Sequence, residues 1–175
     1  MSVGRSSAYW SANRYADPEA QPDPAAPLQD LPAAAAGRFK AVRAGLLDIR
    51  GVVEVVRYMG VSWRWSWEYG VGNRKLCWVH VVGNAISTTF TLSDMEESRV
   101  RAIPRLSGDV AKAVAEAQRT GPVRWCWLEL ADRRAVEGFL TFARRKAAWL
   151  NERPAPHRAG RGRGSASRRT DVEAE

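Results

Sequence analysis

The sequence predicts an α+β fold, in which an antiparallel sheet of about four strands packs against helices. Aromatic rings alternate with polar residues over Trp63–Tyr69, which is the side-chain period of a β-strand. Two strand-like runs flank the pair Gly83-Asn84, as in a two-residue hairpin. After Asp132, apolar residues recur three and four positions apart, which is typical of one face of a packed helix.

The first part of the chain predicts a leader followed by helices. Residues 1–32 are rich in Pro, Ala and acidic residues, which favours a disordered leader, and we interpret its few aromatic residues as incidental. Apolar spacing from Ala33 predicts two helices, roughly 33–44 and 47–59, separated where glycines interrupt the pattern. The β-branched run Val52–Val56 within the second would also fit a strand.

The sheet and the later helices follow in order. Strands are expected over 62–69, 76–82, 85–92 and 123–130, so that all four rings of Trp63–Tyr69 share one face. Ser93 and Glu96 form a capping box, and Asp132 caps a final helix whose outer face carries Arg133, Arg134, Arg144, Arg145 and Lys146. Residues 33–150 are thus expected to form a single domain. The Arg/Gly-rich residues 151–175 are expected to be a disordered tail.

Charge and cysteine content limit the classes of function. Residues 33–150 hold 19 basic and 11 acidic residues, a net charge of +8, so an acidic or polyanionic partner fits the domain itself. Two cysteines are too few for a secreted disulfide framework, and no apolar run reaches the length of a membrane span. The expectation is a reduced, cytoplasmic protein that does not associate with membranes.

The order of elements resembles a family of small bacterial α+β domains of unknown function akin to the YdhG-like domains. The resemblance is carried by Trp63 to Tyr69, the hairpin around Gly83, and Gly121-Pro-Val-Arg-Trp125 followed by Asp132 to Lys146. It covers about residues 47–150 and implies a fold and a bacterial origin. It implies no catalytic residues, and the long leader and the Arg-Gly tail depart from the family's compact form.

Catalytic and metal chemistry find little support in the residue pattern. Cys77 and His80 are three positions apart on one predicted strand, so they point to opposite faces and cannot form a nucleophile–base pair. Two Cys and two His without metal-ligand spacing argue against a zinc site. The glycines of Gly70-Val-Gly-Asn lack P-loop spacing and fit a hairpin turn. No catalytic residue, metal or cofactor is therefore predicted.

The remaining function is binding. Six of the eight tryptophans fall on predicted strands, and an aromatic cleft on the sheet would hold a small planar or cationic ligand by stacking and cation–π contact. Burial of these rings as core is the alternative for each tryptophan, and an ion pair with Arg is the alternative for Glu129. The candidate ligand-binding residues are Trp63, Trp65, Trp67, Tyr69, Trp78, His80, Trp125, Trp127 and Glu129.

Two other classes of binding stay open. Basic side chains beside exposed rings are how single-stranded DNA or RNA is bound. In that case the binding residues would be Arg64, Arg74, Lys75, Arg124, Arg144, Arg145 and Lys146. In the third class, the protein is a structural subunit and the aromatic face is buried against another chain.

Overall fold

The computed structural model describes residues 5–152, which form one six-stranded antiparallel sheet with helices on both faces. The strands are β1 Val52–Tyr58, β2 Trp65–Val71, β3 Arg74–Val82, β4 Ala85–Ser93, β5 Gln118–Thr120 and β6 Val123–Glu129. Their spatial order is β1-β2-β3-β4-β6-β5. The sheet has two strands more than the predicted four, with β1 at one edge and β5 at the other.

The helices cover the two faces of the sheet unequally. The front face packs against four helices, α3 Ala33–Leu47, α5 Asp94–Arg101, α6 Gly108–Ala115 and α7 Arg133–Asn151. The back face is contacted by the short α1 Ser7–Ser11, which also packs on α4 Gly60–Trp63. A further short helix, α2 Pro27–Asp30, packs on α3. The main hydrophobic core therefore lies between the sheet and the front helices.

The predicted helix over 47–59 is wrong, because residues 52–58 form the edge strand β1. The run Val52–Val56 is dominated by β-branched valines, which favour extended backbone. The predicted break at Gly45 is also absent, and α3 continues to Leu47. A Cβ at position 45 would lie 2.5 Å from a side-chain atom of Leu140, so this glycine permits close packing of α3 on α7.

Several local predictions are confirmed. Gly83 has φ +59° in the two-residue turn between β3 and β4, where a side chain would be strained. The capping box is formed: the Ser93 hydroxyl accepts from the Glu96 backbone N–H, and the Glu96 carboxylate accepts from the Ser93 N–H. Asp132 accepts from the backbone N–H of Ala135 at the start of α7.

Two predictions about residue placement are corrected. Trp63 does not share a strand with Trp65, Trp67 and Tyr69, because it ends α4 and is followed by Arg64 at φ 58°. That positive φ breaks the alternation, so Trp63 lies against the back face while the other three rings lie in the front core. Lys146 is not on the outer face of α7 but is buried, with 2% of its surface exposed.

The leader is the largest departure from the prediction, since residues 5–32 pack on both faces of the sheet. Trp10 is buried against the back face, whereas Leu31 is buried in the front core. Between them the chain passes the ends of β2 and β3, where Asn13 bridges to Val82 and donates from Nδ2 to the Trp63 carbonyl oxygen at 2.6 Å. The predicted C-terminal tail lies outside the described residues except for its first two positions.

Candidate functional site

The nine predicted ligand-binding residues do not form one site, because the sheet divides them between its faces. Trp65, Trp67 and Tyr69 are in the front core. The remaining six lie on the back face in three degrees of burial. Trp63, Trp78 and His80 are buried, Trp125 and Trp127 are half-buried, and Glu129 is exposed.

The three front rings are structural. The indole N–H groups of Trp65 and Trp67 donate to leader carbonyl oxygens, of Asp17 at 2.7 Å and of Pro24 at 2.9 Å. The Tyr69 hydroxyl donates to Glu54 at 2.7 Å, and burial together with that carboxylate raises the pKa of Tyr69. Because these polar groups are satisfied within the chain, the front rings offer a ligand neither surface nor donors.

On the back face the tryptophans pack chiefly on one another. Trp10 from the leader stacks on Trp63 with ring centroids 5.6 Å apart, and Trp78 stacks on Trp125 at the same distance. Trp63 makes edge contacts with both Trp78 and Trp125. One signal for this arrangement is visible in the sequence, since Tyr9 and Trp10 are unusual residues for a disordered leader. Trp10 is itself buried and packs against both Trp63 and His80.

His80 is a buried structural residue. Its Nδ1 lies 2.9 Å from the Ser66 hydroxyl oxygen and its Nε2 lies 3.0 Å from the Thr89 hydroxyl oxygen, while the rings of Trp10 and Trp63 pack edge-on at 4.9 Å. Burial lowers the pKa of His80 to about 3. A serine beside a histidine suggests nucleophilic catalysis, but this imidazole is a weak base, is closed to solvent and has no carboxylate partner among residues 5–152.

Glu68 is a buried acid of the back face, and nearby cations compensate its negative charge. Its carboxylate accepts from Lys75 at 2.5 Å and from the Trp78 indole N–H at 3.0 Å, and Arg57 lies 3.5 Å away. Burial by itself would raise the pKa of Glu68, but the hydrogen bonds from Lys75 and Trp78 outweigh it, so the pKa is lowered. Glu68 therefore stays ionised and fixes the orientation of Trp78.

Most of the basic residues proposed for nucleic acid are committed to contacts within the chain. Arg64 and Arg74 donate to backbone carbonyl oxygens, those of Ser11 and Leu150 respectively. The other three form ion pairs with carboxylates: Lys75 with Glu68, Arg124 with Glu97, and Lys146 with Glu96. Arg144 and Arg145 lie exposed on α7. The predicted basic groups thus do not form a continuous surface beside exposed rings.

One accessible part of the back face is a cleft of about 240 Å³ at the end of β6. Its aromatic wall is Trp127, and the guanidinium of Arg5 lies over this ring at 3.8 Å from the centroid. Tyr9 meets Trp127 edge-on at 5.7 Å and donates its hydroxyl to Ser87 at 3.1 Å. We call this the Trp127 cleft. Its lining residues are Arg5, Asp109, Lys112, Ala113, Glu116, Trp127, Leu128, Glu129, Ala131, Asp132 and Ala135.

The Trp127 cleft carries a net negative charge even though the protein as a whole is basic. Four of its lining residues, Asp109, Glu116, Glu129 and Asp132, carry carboxylates, against the cations of Lys112 and Arg5. The Trp127 indole N–H is buried and has no hydrogen-bond partner among residues 5–152. Sequence reasoning found Trp127 and Glu129 here but missed the leader and α6 residues, because their approach depends on tertiary structure.

Other chemistry finds no support in the part of the chain that the structure describes. Within residues 5–152, no group of three or more His, Cys, Asp or Glu side chains could hold a metal ion. Cys77 and Cys126 are both buried, and burial raises the pKa of each thiol to about 12, so neither is a ready thiolate. None of the described helices combines the length and apolar character needed to cross a membrane.

No protein-family model, curated protein or solved structure matches this chain. The resemblance to the YdhG-like domains therefore stays a prediction. Any assignment of function depends on the geometry of the Trp127 cleft and on the packing around it.

Proposed function

We propose that this protein is a non-catalytic binding domain that holds a planar organic cation in the Trp127 cleft. The observation that carries the proposal is the position of Arg5, whose guanidinium lies 3.8 Å from the centre of the Trp127 ring. Cation–π contacts are strongest on tryptophan and contribute about 0.5–2 kcal/mol. The chain's own arginine thus occupies the position that we assign to the ligand.

The carboxylates around the ring supply the second requirement for such a ligand. A guanidinium has donors in one plane, so it can lie flat on an indole while its edge hydrogen-bonds to carboxylate oxygens. Glu129 is exposed and follows Trp127 on the same side of β6. Asp109 and Glu116 bring further negative charge from α6. Stacking and hydrogen bonding together favour a planar cation over a compact ammonium.

Competition with Arg5 is the expected cost of ligand binding. The guanidinium of a ligand must displace the guanidinium of Arg5. The apparent affinity is therefore the intrinsic affinity multiplied by the fraction of molecules in which the cleft is free. The ligand we infer is therefore one with a guanidinium group, either a small molecule or an arginine side chain of a peptide.

The test is a calorimetric titration of the full chain with N-acetyl-L-argininamide. Two probes separate charge from shape: the citrulline analogue is planar but neutral, and the lysine analogue is cationic but not planar. We expect measurable binding of the arginine compound alone. Glu129→Gln should weaken it about tenfold or more, since a hydrogen bond to a charged group contributes about 1.5–3 kcal/mol.

Glu19→Gln is the matched control, because Glu19 is an exposed acid of the leader away from the lining of the cleft. Its titration should match that of the wild type. Equal binding of the arginine and citrulline compounds, or equal weakening by Glu129→Gln and Glu19→Gln, would contradict the proposal.

A further inference from the structure

The outer edge of β1 has no partner strand among residues 5–152. β1 stands at the end of the sheet order and pairs with β2 alone among the described strands. The register between β1 and β2 pairs Val55 with Glu68, and it extends past the strand to Met59, whose N–H donates to the Arg64 carbonyl oxygen at 2.8 Å. The backbone of Met59 therefore faces β2. Because antiparallel bonding alternates along a strand, the backbones of Val52, Glu54 and Val56 face away from β2, outward from the sheet.

The middle of this edge is unpaired, although its ends are not. The Val52 N–H donates to the Ile49 carbonyl oxygen, and the Val56 carbonyl oxygen accepts from the Gln21 side chain at 3.3 Å. Glu54, between them, makes no backbone hydrogen bond outside the sheet ladder among residues 5–152. A strand edge with free backbone groups is a template for another strand.

The side chains of β1 do not protect this edge. Val53 and Val55 point to the back face and are 56% and 42% exposed. Edge strands are commonly guarded by charged side chains, a proline or a bulge. β1 has neither a proline nor a bulge, and its two charged side chains are paired within the chain, Glu54 with Arg43 and Arg57 with Glu68. Two exposed β-branched residues beside free backbone groups indicate a surface that is suited to strand pairing.

We propose that β1 pairs with β1 of a second copy of this chain about a two-fold axis through Glu54. In that antiparallel register Val53 of each copy lies opposite Val55 of the other, so both exposed valines gain apolar partners. The facing Glu54 carboxylates are compensated, because each is held by its own Arg43 at 2.9 Å and accepts from Tyr69. The strand is thus self-complementary.

The small area of the β1–β1 contact predicts a weak association. One pair of short strands buries less surface than the roughly 1,200–2,000 Å² of a stable complex, so the dimer should be weak and dependent on concentration. The readout is the mass of the full chain by sedimentation over a concentration series, which should rise from 19.4 kDa toward twice that value.

Val55→Lys should abolish the rise in mass, because it places a charge on the paired surface. Val61→Lys is the matched control, since Val61 is 85% exposed and lies on α4 rather than on β1. This variant should dimerise as the wild type does. A wild type that stays monomeric throughout the series, or a Val55→Lys variant that still dimerises, would overturn the proposal.

A cross-link tests the register directly. Opposite residues at a non-hydrogen-bonded position have Cα atoms about 4.5 Å apart, within the range that a disulfide spans. The double variant Val53→Cys/Val55→Cys should therefore form a covalent dimer on oxidation. Val53→Cys alone should not, because its diagonal neighbour is about 7–8 Å away. The native cysteines are buried and do not compete. Equal cross-linking of the single and double variants would refute this register.

Discussion

At the scale of residues, Arg64 determines which face of the sheet each tryptophan occupies. It adopts φ 58°, a conformation that costs a non-glycine residue of order 1 kcal/mol or more. Its guanidinium donates to the carbonyl oxygens of Ser11 and Asn13, which ties the reversal to the leader. One strained residue thus sends Trp63 to the back face and Trp65 to the front.

His80 makes stability depend on pH. Its pKa of about 3 in the folded chain lies below the ordinary 6.5, so the unfolded chain binds more protons between these values. The free energy of unfolding should be highest above pH 6.5 and fall by up to about 1.4 kcal/mol per pH unit below it. The lowered pKa values of Glu68 and Glu96 add a loss only below their ordinary 4.5. Denaturant unfolding of wild type and His80→Gln between about pH 7 and pH 5 separates these contributions.

The variant should be less stable at neutral pH but nearly insensitive to pH in this window, because glutamine does not titrate. A His80→Gln slope that equals the wild-type slope would show that His80 is not the group responsible.

Lys146 is a buried cation that joins two helices. Its ammonium donates to Glu96 of α5 at 2.8 Å, and that carboxylate also caps the same helix. Lys146→Met should lower the free energy of unfolding by about 3–5 kcal/mol, because it leaves a largely buried carboxylate without its counter-charge. Arg145→Met, at the adjacent exposed position, should change it by less than about 0.5 kcal/mol. Comparable losses from the two substitutions would argue against a specific role for Lys146.

At the scale of elements, the space around two helical glycines shows where a helix packs closely on its neighbour and where it does not. A Cβ on Gly138 of α7 would lie 2.7 Å from the Ser107 Cβ, an atom that no rotamer change can move. A Cβ on Gly37 of α3 would meet nothing within 4 Å. The first position therefore fixes the approach of α7 to the start of α6, and the second has no packing role.

Gly138→Ala should lower the free energy of unfolding by about 1–3 kcal/mol through overpacking. Gly37→Ala should raise it by about 0.5–1 kcal/mol, because alanine is the better helix former. Thermal unfolding of both variants checks the contrast. A stabilised Gly138→Ala variant would mean that α7 and α6 can separate without cost.

Elements set by local chemistry could be predicted from the sequence, whereas those set by tertiary contact could not. The capping box at Ser93 and the turn at Gly83 are visible because a few adjacent residues determine each. β1 was mistaken for a helix because a short valine-rich run has no decisive period. In the candidate site, Trp127 and Glu129 were identified from strand alternation. Arg5 was not, because its contact spans more than one hundred residues of sequence.

At the scale of the whole molecule, the leader covers much of the aromatic surface of the sheet. It supplies carbonyl oxygens to Trp65 and Trp67 on the front face and the Trp10 ring on the back face. The Trp127 cleft, lined in part by Arg5 of the leader, stays accessible. Many basic side chains outside this cleft form ion pairs with carboxylates, among them Arg43 with Glu54, Arg124 with Glu97 and Lys146 with Glu96.

The most direct test of this account is the affinity of Arg5→Ala for N-acetyl-L-argininamide, measured by calorimetry beside the wild type. If Arg5 occupies the ligand's position, its removal should tighten binding about fivefold, which corresponds to a cation–π contact of about 1 kcal/mol. Arg14→Ala, a leader arginine that contacts Asn84 instead, should leave the affinity unchanged. Unchanged or weaker binding by Arg5→Ala would contradict the assignment of the Trp127 cleft as a guanidinium site.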